Sequence, residues 1–227
     1  MVAAIGIDVQ GKKHVLGLWH GATENATVVK GLLEDLVSRG LDPERKLLIV
    51  LDGAKALRKA VQMVLGDQGL VQRCRVHKLR NVLDHLPEEK KAQAVWRLRG
   101  AWGQKDPKVA EKELRKTAQW LDGFAPMAAG SLLEGLEETL TVQRLGIRHT
   151  LCRSLSNTNL MENCFAQAAH HTRRVKRWDG PRMIMRWTAA ALLGAEKHFR
   201  RIKGCEQLKD LEKVLRELEV TTTLKAA

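Results

Sequence analysis

The first 40 residues predict a β-hairpin followed by an amphipathic helix. Two short β-prone runs, residues 2–9 and 14–20, flank Gly11, which suits the positive φ of a tight turn. Residues 24–39 then carry apolar side chains at steps of three and four, the spacing of a helix with one buried face. Gly40 is a typical helix stop, so the helix is predicted to end there.

A continuous apolar run, KLLIVL at residues 46–51, leads directly into Asp52. Such a run is typical of a strand that is buried on both faces of an α/β sheet. Helices are predicted over residues 54–65 and 76–86, with a short strand over 70–74 between them. Because strands and helices alternate, residues 1–86 are predicted to form the first part of an α/β core.

From Pro87 onward the pattern indicates helices without strands. Residues 88–102, residues 107–121 and the stretch from Pro126 through residue 140 have helical spacing and polar outer faces. We therefore predict an all-helical insertion over residues 87–150.

Residues 151–227 are predicted to complete the core with basic helices. One helix begins near Asn159, and a second runs from Pro181 to about Ile202. A last leucine-rich stripe, residues 208–218, spans only about two heptads, so a face that docks against the sheet is favoured over a coiled coil.

Composition narrows the possible functions. The chain is 44% hydrophobic, which indicates a folded protein, and its formal net charge of +13 favours a polyanionic partner, most commonly nucleic acid. The four scattered cysteines are typical of reduced thiols in a cytoplasmic protein rather than of a disulfide framework. No apolar run approaches the roughly 18 residues of a membrane span, and the apolar start, interrupted by Asp8, is not a signal peptide.

Two carboxylates lie where they could take part in chemistry. Asp52 follows a predicted strand, and α/β sheets bind ligands at the carboxyl ends of their strands. The N-cap of the next helix explains Asp52 equally well. Glu162 follows Asn159 by three residues, and a capping box is its favoured local explanation. Carboxylates on separate elements can also share two Mg²⁺ ions, which would clamp the attacking and leaving oxygens of a phosphodiester.

The segment after Glu162 concentrates positive charge. Residues 170–203 contain ten Lys or Arg side chains and two acids, Asp179 and Glu196. Such a cluster indicates phosphate contacts, although a solvated helix face explains part of it. Two tryptophans in the segment, Trp178 and Trp187, are interpreted as core residues rather than as base-stacking platforms. The candidate DNA-binding residues are Arg173, Arg174, Lys176, Arg177, Arg182 and Arg186.

Five blocks, in order, resemble the bacterial Mutator-type insertion-sequence transposases across nearly the whole chain. They are AIGIDVQGKKHVLGLWHGATEN, LIVLDGAKAL, QRCRVHKLRNVLDHLP, SLLEGLEETLTVQRLGI, and SNTNLMENCF leading into RRVKRW and MRW. The resemblance implies an RNase H-like fold with an all-helical insertion, and a DDE mechanism in which two Asp and one Glu bind two Mg²⁺ or Mn²⁺ ions without an organic cofactor. Asp52 matches the second acid, and Glu162 matches the Glu of the motif written here as NTNLME.

Cys74 and His77 match a C-x-x-H motif of the same family. The pair lacks the four ligands of a structural zinc site. We therefore interpret it as a structural element or a support of the active site. A core role for Cys74, with His77 as a helix-capping or phosphate-facing residue, is an equal alternative.

The first Asp of the family has no counterpart in this chain. In the family it lies on a strand before the equivalent of VAAIGID, so the chain resembles an N-terminally truncated copy whose sheet lacks its first strand. The DNA-recognition region that binds the element's ends is expected to be missing as well. Asp8 is interpreted as a turn-flanking acid rather than as a substitute metal ligand.

The predicted function is that of a cytoplasmic transposase that binds insertion-element ends and target DNA and performs metal-dependent strand cleavage and transfer. The expected partners are DNA and a second copy or a full-length transposase, and no membrane. Whether this chain alone is an enzyme stays open, because one acid is missing. One alternative is a non-catalytic DNA-binding remnant that modulates a full-length transposase. The other is a self-sufficient nuclease that uses Asp8, Asp52 and Glu162.

Overall fold

The computed structural model describes residues 1–21, 26–147, 149–173 and 175–226. These residues form a mixed α/β structure that divides into two compact units. The first unit contains Met1–Leu47, Ala54–Gly69 and the chain from Asn159 onward, and the second contains Leu48–Gly53 and Leu70–Thr158. The elements in chain order are β1 (Val2–Ile7), β2 (Lys13–Trp19), α1 (Ala26–Ser38), β3 (Leu47–Leu51), α2 (Lys55–Leu65), β4 (Gly69–Arg73), α3 (Arg75–Leu83), α4 (Glu88–Trp102), α5 (Pro107–Asp122), α6 (Pro126–Leu133), α7 (Thr141–Arg144), α8 (His149–Leu155), α9 (Asn159–Thr172), α10 (Gly180–Glu196) and α11 (Leu208–Ala226).

The predicted hairpin is present in the first unit. Strands β1 and β2 pair antiparallel, with Val2 opposite Trp19 and one irregularity after Ala4. Gly11 has φ of +80°, and a Cβ at this position would overlap the Cβ of Cys205. The turn therefore requires glycine for its backbone angle and for the close approach of the chain after α10.

Apolar faces of the helices cover this hairpin. Helix α1 contacts α2 and β2 through its predicted apolar face, and it ends where Gly40 adopts φ of +105°. Helices α9 and α10 pack together and contribute Ala168 and Leu192 to a small core beside Val15 of β2. Residues Leu208 and Leu211 of α11 are buried, and the docking of this face against the sheet stays a prediction.

Strand β3 differs from its prediction. Four of its five residues are half-buried and only Leu51 is buried, so the expectation of burial on both faces is wrong. The hydrogen-bonded strands of the described chain form two sheets of two strands each, β1–β2 and β3–β4. A strand with a single neighbour lies at an edge, where fewer side chains cover it. The RNase H-like arrangement of the sheet stays a prediction.

The helices of residues 88–122 match their predictions closely. Helix α4 has the expected bounds, and α5 begins after Asp106, whose carboxylate accepts a hydrogen bond from the backbone N–H of Lys108 at 2.8 Å. Leucines from α4, α5 and α6 form the core of the second unit. The predicted boundaries at residues 87 and 150 stay predictions, since the compact units follow a different division.

Three other predicted helices end early. Helix α3 stops at Leu83 rather than at residue 86, and the other two stop at contacts with residues distant in sequence. The helix expected through residue 140 stops at Leu133, because Gly135 adopts φ of +60° and a Cβ there would lie 2.6 Å from the guanidinium carbon of Arg73. Helix α10 stops at Glu196 rather than near Ile202. The backbone N–H of Ile202 instead donates a hydrogen bond to the carbonyl of Gly11 at 2.9 Å. In both cases a contact with a residue distant in sequence replaces a further helical turn.

Two buried cations join β4 and α3 to the end of α6. The ammonium group of Lys78 donates hydrogen bonds to the carbonyls of Ser131 and Glu134 at 2.5 and 2.7 Å. The guanidinium of Arg73 bonds the carboxylate of Glu138 at 3.2 Å and the carbonyl of Glu134 at 3.3 Å. Burial, followed by the charge of Arg73, lowers the pKa of Lys78 to about 8. These cations satisfy carbonyls that the end of a helix leaves unpaired.

Candidate functional site

Asp52 lies at the carboxyl end of β3, as predicted, and is half-buried. The N-cap residue of α2 is Ala54, two positions further along the chain. Asp52 is therefore not the N-cap residue, and its position at the end of a strand remains the observation that favours a ligand site.

Glu162 lies in the first turn of α9, which begins at Asn159 as predicted. Its side chain is exposed, and a carboxylate in this turn interacts favourably with the positive end of the helix dipole. The capping box stays a prediction. Asp52 belongs to the second unit and Glu162 to the first. Within the described residues, no three His, Cys, Asp or Glu side chains form a group that could hold a metal ion.

The two motif residues Cys74 and His77 meet at the start of α3, together with Thr158. Cys74 is the N-cap residue and is fully buried. Its sulfur accepts hydrogen bonds from the backbone N–H groups of His77 (3.5 Å) and Thr158 (3.3 Å), and from the Thr158 hydroxyl (3.4 Å). The Nδ1 atom of His77 lies 3.3 Å from this sulfur and 3.2 Å from the Thr158 hydroxyl oxygen. These contacts agree with a structural role for the C-x-x-H motif, and the choice between that role, support of an active site and a phosphate-facing His77 stays a prediction.

Thr158 was not identified from the sequence. It is the middle residue of the NTN tripeptide, directly before a predicted helix, and that position favours a Thr with a local structural role. A second contact joins the same two segments next to Cys74, His77 and Thr158, which we call the Cys74 cluster. The backbone N–H of Arg75 donates a hydrogen bond to the carbonyl of Ser156 at 2.9 Å. The guanidinium of Arg75 also donates to the carbonyl of Thr139 at 2.9 Å, and burial lowers the pKa of Arg75. The segment before α9 is therefore fixed by backbone and side-chain contacts.

Asp8 is engaged in the hairpin turn. Its carboxylate accepts hydrogen bonds from the backbone N–H groups of Gln10 and Lys12 and lies 2.8 Å from Nε2 of His14. The hydrogen bond from His14, supported by those from the backbone, lowers the pKa of Asp8. The interpretation of Asp8 as a turn-flanking acid agrees with these contacts.

Five of the six candidate DNA-binding residues lie within the described chain, and all five are exposed. Arg174 lies outside the described residues. The remaining five form what we call the cationic surface. Within the described part of the chain, none of them makes an ion pair. The cationic surface consists of Arg173, Lys176, Arg177, Arg182 and Arg186.

On other helices, by contrast, basic residues form ion pairs with acids of the same helix. Arg39 pairs with Asp35, Arg115 with Glu111, and Arg216 with Glu212, each with the acid four residues earlier on the same helix. On α10, the acid Glu196 instead accepts a hydrogen bond from the backbone N–H of Val15 in β2 at 3.1 Å. The cationic surface has one acid close by in sequence, Asp179, but no ion pair joins Asp179 to any of its members in the described part of the chain.

The prediction that Trp178 and Trp187 are core residues is wrong. Their exposed fractions are 40% and 46%. The buried face of α10 consists of Ala191, Leu192 and Ala195, and Trp187 points about a quarter-turn away from this face at 100° per residue. The sequence signal for exposure was the direct neighbourhood of Arg177 and Arg186.

Comparison with known proteins identifies the family. Residues 1–201 match the family described as "Transposase, Mutator family", and the chain belongs to it. Over 176 residues it is 30% identical to the transposase for insertion sequence element IST2 of Acidithiobacillus ferrooxidans, which covers 78% of this chain and 58% of that protein. Over 201 residues it is 30% identical to the transposase for insertion sequence element ISRM5 of Rhizobium meliloti, and this match covers 87% of this chain and 48% of that protein.

The chain spans about half the length of these curated relatives. A third relative, the transposase for element IS6120 of Mycolicibacterium smegmatis, is 26% identical over 176 residues and is matched over 53% of its length. The resemblance noted from the five sequence blocks is confirmed. Separately, none of the described helices is both long and apolar enough to cross a membrane.

The Cys74 cluster gives a stability prediction. Cys74→Ala removes the acceptor of buried N–H donors, and an unsatisfied buried donor costs about 1–3 kcal/mol. Cys164→Ala is the matched control, since Cys164 is equally buried but makes no hydrogen bond through its sulfur in the described part of the chain. We expect the free energy of unfolding in urea to fall further for Cys74→Ala than for Cys164→Ala, and Cys74→Ser to recover part of the difference. Equal decreases for the two alanine variants would contradict the cluster's role.

Proposed function

We propose that this chain is the catalytic-core part of an insertion-sequence transposase, with an RNase H-like core, which binds DNA through the cationic surface. Family membership supports the class, and the relatives' names support insertion elements as the DNA substrate. The observation that carries the DNA-binding step is the set of five exposed cations without an ion pair in the described chain. Cytoplasmic location and assembly with another transposase chain belong to the same proposal.

Exposed cations that are close in sequence and make no ion pair favour a polyanion for a physical reason. An exposed cation that already pairs with a carboxylate must give up that interaction to bind a phosphate. The cations of this surface have no such interaction to break, and their mutual repulsion is relieved when phosphates neutralise them. Each neutralised phosphate also releases condensed counterions from the DNA, which adds to the affinity at low salt.

The length of α10 suits a nucleic-acid strand. Arg182, Arg186 and Lys197 point within about 60° of one another around the helix, at 100° per residue. From Arg182 to Lys197, the C-cap residue directly after α10, the rise is about 22 Å, which corresponds to between about six and seven base pairs of duplex. The remaining members of the cationic surface precede this helix and extend the same positive charge.

For the chemistry we propose Asp52 and Glu162 as ligands of Mg²⁺ or Mn²⁺. Their carboxylate oxygens are the donors these ions prefer, although no three His, Cys, Asp or Glu side chains of the described residues form a group that could hold a metal ion. Two bound metal ions would activate an oxygen nucleophile and stabilise the negative charge that develops on the phosphodiester. Each carboxylate would contribute oxygen ligands to these ions.

DNA binding through the cationic surface is tested by its salt dependence. The Arg182→Gln/Arg186→Gln variant should bind duplex DNA more weakly, and the slope of log K against log salt should become shallower by about 1 for each phosphate that is no longer neutralised. Fluorescence anisotropy at several salt concentrations measures both quantities. Arg216→Gln is the matched control, because Arg216 is already held by Glu212 at 2.6 Å. The proposal fails if the double variant and the control have the same slope as the unaltered chain.

Metal binding is tested by calorimetry with Mn²⁺. We expect heat of binding in the unaltered chain, and its loss in both Asp52→Asn and Glu162→Gln, because each change removes a charged oxygen ligand. The Asp8→Asn variant serves as the control, since Asp8 is committed to the hairpin turn. Persistent binding in Asp52→Asn or Glu162→Gln would exclude that residue as a ligand. A chain that binds DNA but no metal would instead be a non-catalytic remnant that modulates a full-length transposase.

A further inference from the structure

Two exposed tryptophans accompany the cationic surface. Trp178 follows Arg177 directly, and Trp187 follows Arg186. They leave 40% and 46% of their surface exposed. Large aromatic side chains contribute most to stability when they are buried, so their exposure beside unpaired cations indicates a partner with both negative charge and flat apolar faces.

We propose that the indole rings of Trp178 and Trp187 stack on unpaired DNA bases, so that this surface prefers single-stranded or locally opened DNA to intact duplex. The inference rests on the proposed DNA binding. Proteins that bind single strands combine cations along the backbone with aromatic rings on which bases stack. In an intact duplex the faces of the bases are covered by their neighbours, and only phosphates and groove edges remain accessible.

The spacing along α10 fits several consecutive bases. Trp178 stands two residues before the helix begins at Gly180, and Trp187 lies seven residues into it. The helix rises about 10 Å from Gly180 to Trp187, and bases of one strand follow one another at about 3.4 Å, so the two rings would stack on different bases. Arg182 and Arg186 lie between the two rings in sequence and would bind the phosphates of the same strand.

A second copy of this chain fits the surface less well. Symmetric dimers bring the same patch of both subunits together. Such an interface would place the five unpaired cations of one chain opposite those of the other, and like charges that face each other oppose association. DNA supplies the complementary charge and the aromatic faces together.

The test compares three labelled probes of equal length: oligothymidylate, an abasic oligonucleotide with the same phosphates, and a duplex. We expect the unaltered chain to bind oligothymidylate more tightly than the abasic strand. The Trp178→Ala/Trp187→Ala variant should bind oligothymidylate about 5- to 150-fold more weakly for each base that no longer stacks. Its affinity for the abasic strand and for the duplex should stay unchanged.

Conservative variants separate stacking from folding and from general apolar packing. Trp187→Phe keeps an aromatic face and should retain most of the oligothymidylate affinity, whereas Trp187→Leu keeps apolar volume without that face and should bind much more weakly. Trp96→Ala is the matched control, because Trp96 lies in α4 with an exposed fraction of 74% and outside the cationic surface. This control should change the affinity for none of the probes.

The contradicting outcomes distinguish the two proposals. If Arg182→Gln weakens binding of every probe while the tryptophan variants alter none, base stacking is refuted and DNA binding stands. If the unaltered chain binds none of the probes, DNA binding itself fails. If the double tryptophan variant changes the sedimentation of the chain but not its oligothymidylate affinity, the rings form a protein interface and the inference is overturned.

Discussion

The need to satisfy buried polar groups constrains the second unit more than any other interaction. Lys78 and Arg73 are buried where α6 ends, and removing a partner from a buried charge is strongly destabilising. Their carbonyl and carboxylate partners fix β4 and α3 against the helical core. The same requirement applies one residue after Arg73, where the sulfur of Cys74 accepts hydrogen bonds from His77 and Thr158. The C-x-x-H motif thus directly follows Arg73 in the chain and, like Arg73 and Lys78, forms hydrogen bonds that satisfy buried polar groups.

The first unit contains both paired and unpaired cations, and the pairs Arg39–Asp35 and Arg216–Glu212 both lie in it. Asp8 is used in the hairpin turn and Glu196 bonds the backbone of β2, so two acids of this unit are committed to structure. The cations of the cationic surface are left without carboxylate partners in the described chain. These unpaired cations are the reason for proposing an external anion as the partner, and membership of the Mutator family favours DNA in that proposal.

Local patterns predicted the local features of this structure. The hairpin was predicted from two β-prone runs around Gly11. Helices α4 and α5 and the start of α9 were predicted from the spacing of apolar residues and from residues typical of helix ends. Two of the errors in helix length involve residues distant in sequence. The side chain of Arg73 fills the space beside Gly135, where the chain turns after α6. The carbonyl of Gly11 accepts a hydrogen bond from the backbone N–H of Ile202, which lies beyond the end of α10. The exposure of Trp187 likewise depends on which face of α10 packs inward, which periodicity with mixed apolar and basic residues does not determine. Trp178 precedes this helix, so helical periodicity does not apply to it.

Arginine-selective chemical modification, followed by mass spectrometry with and without duplex DNA, tests the role of the cationic surface most directly. If this surface binds DNA, Arg182 and Arg186 should react readily in the free chain and be protected when DNA is bound. Arg216, which Glu212 holds on α11, should react at the same rate in both conditions. Equal modification of Arg182 and Arg186 with and without bound DNA would contradict this role, because the DNA would then lie elsewhere on the chain.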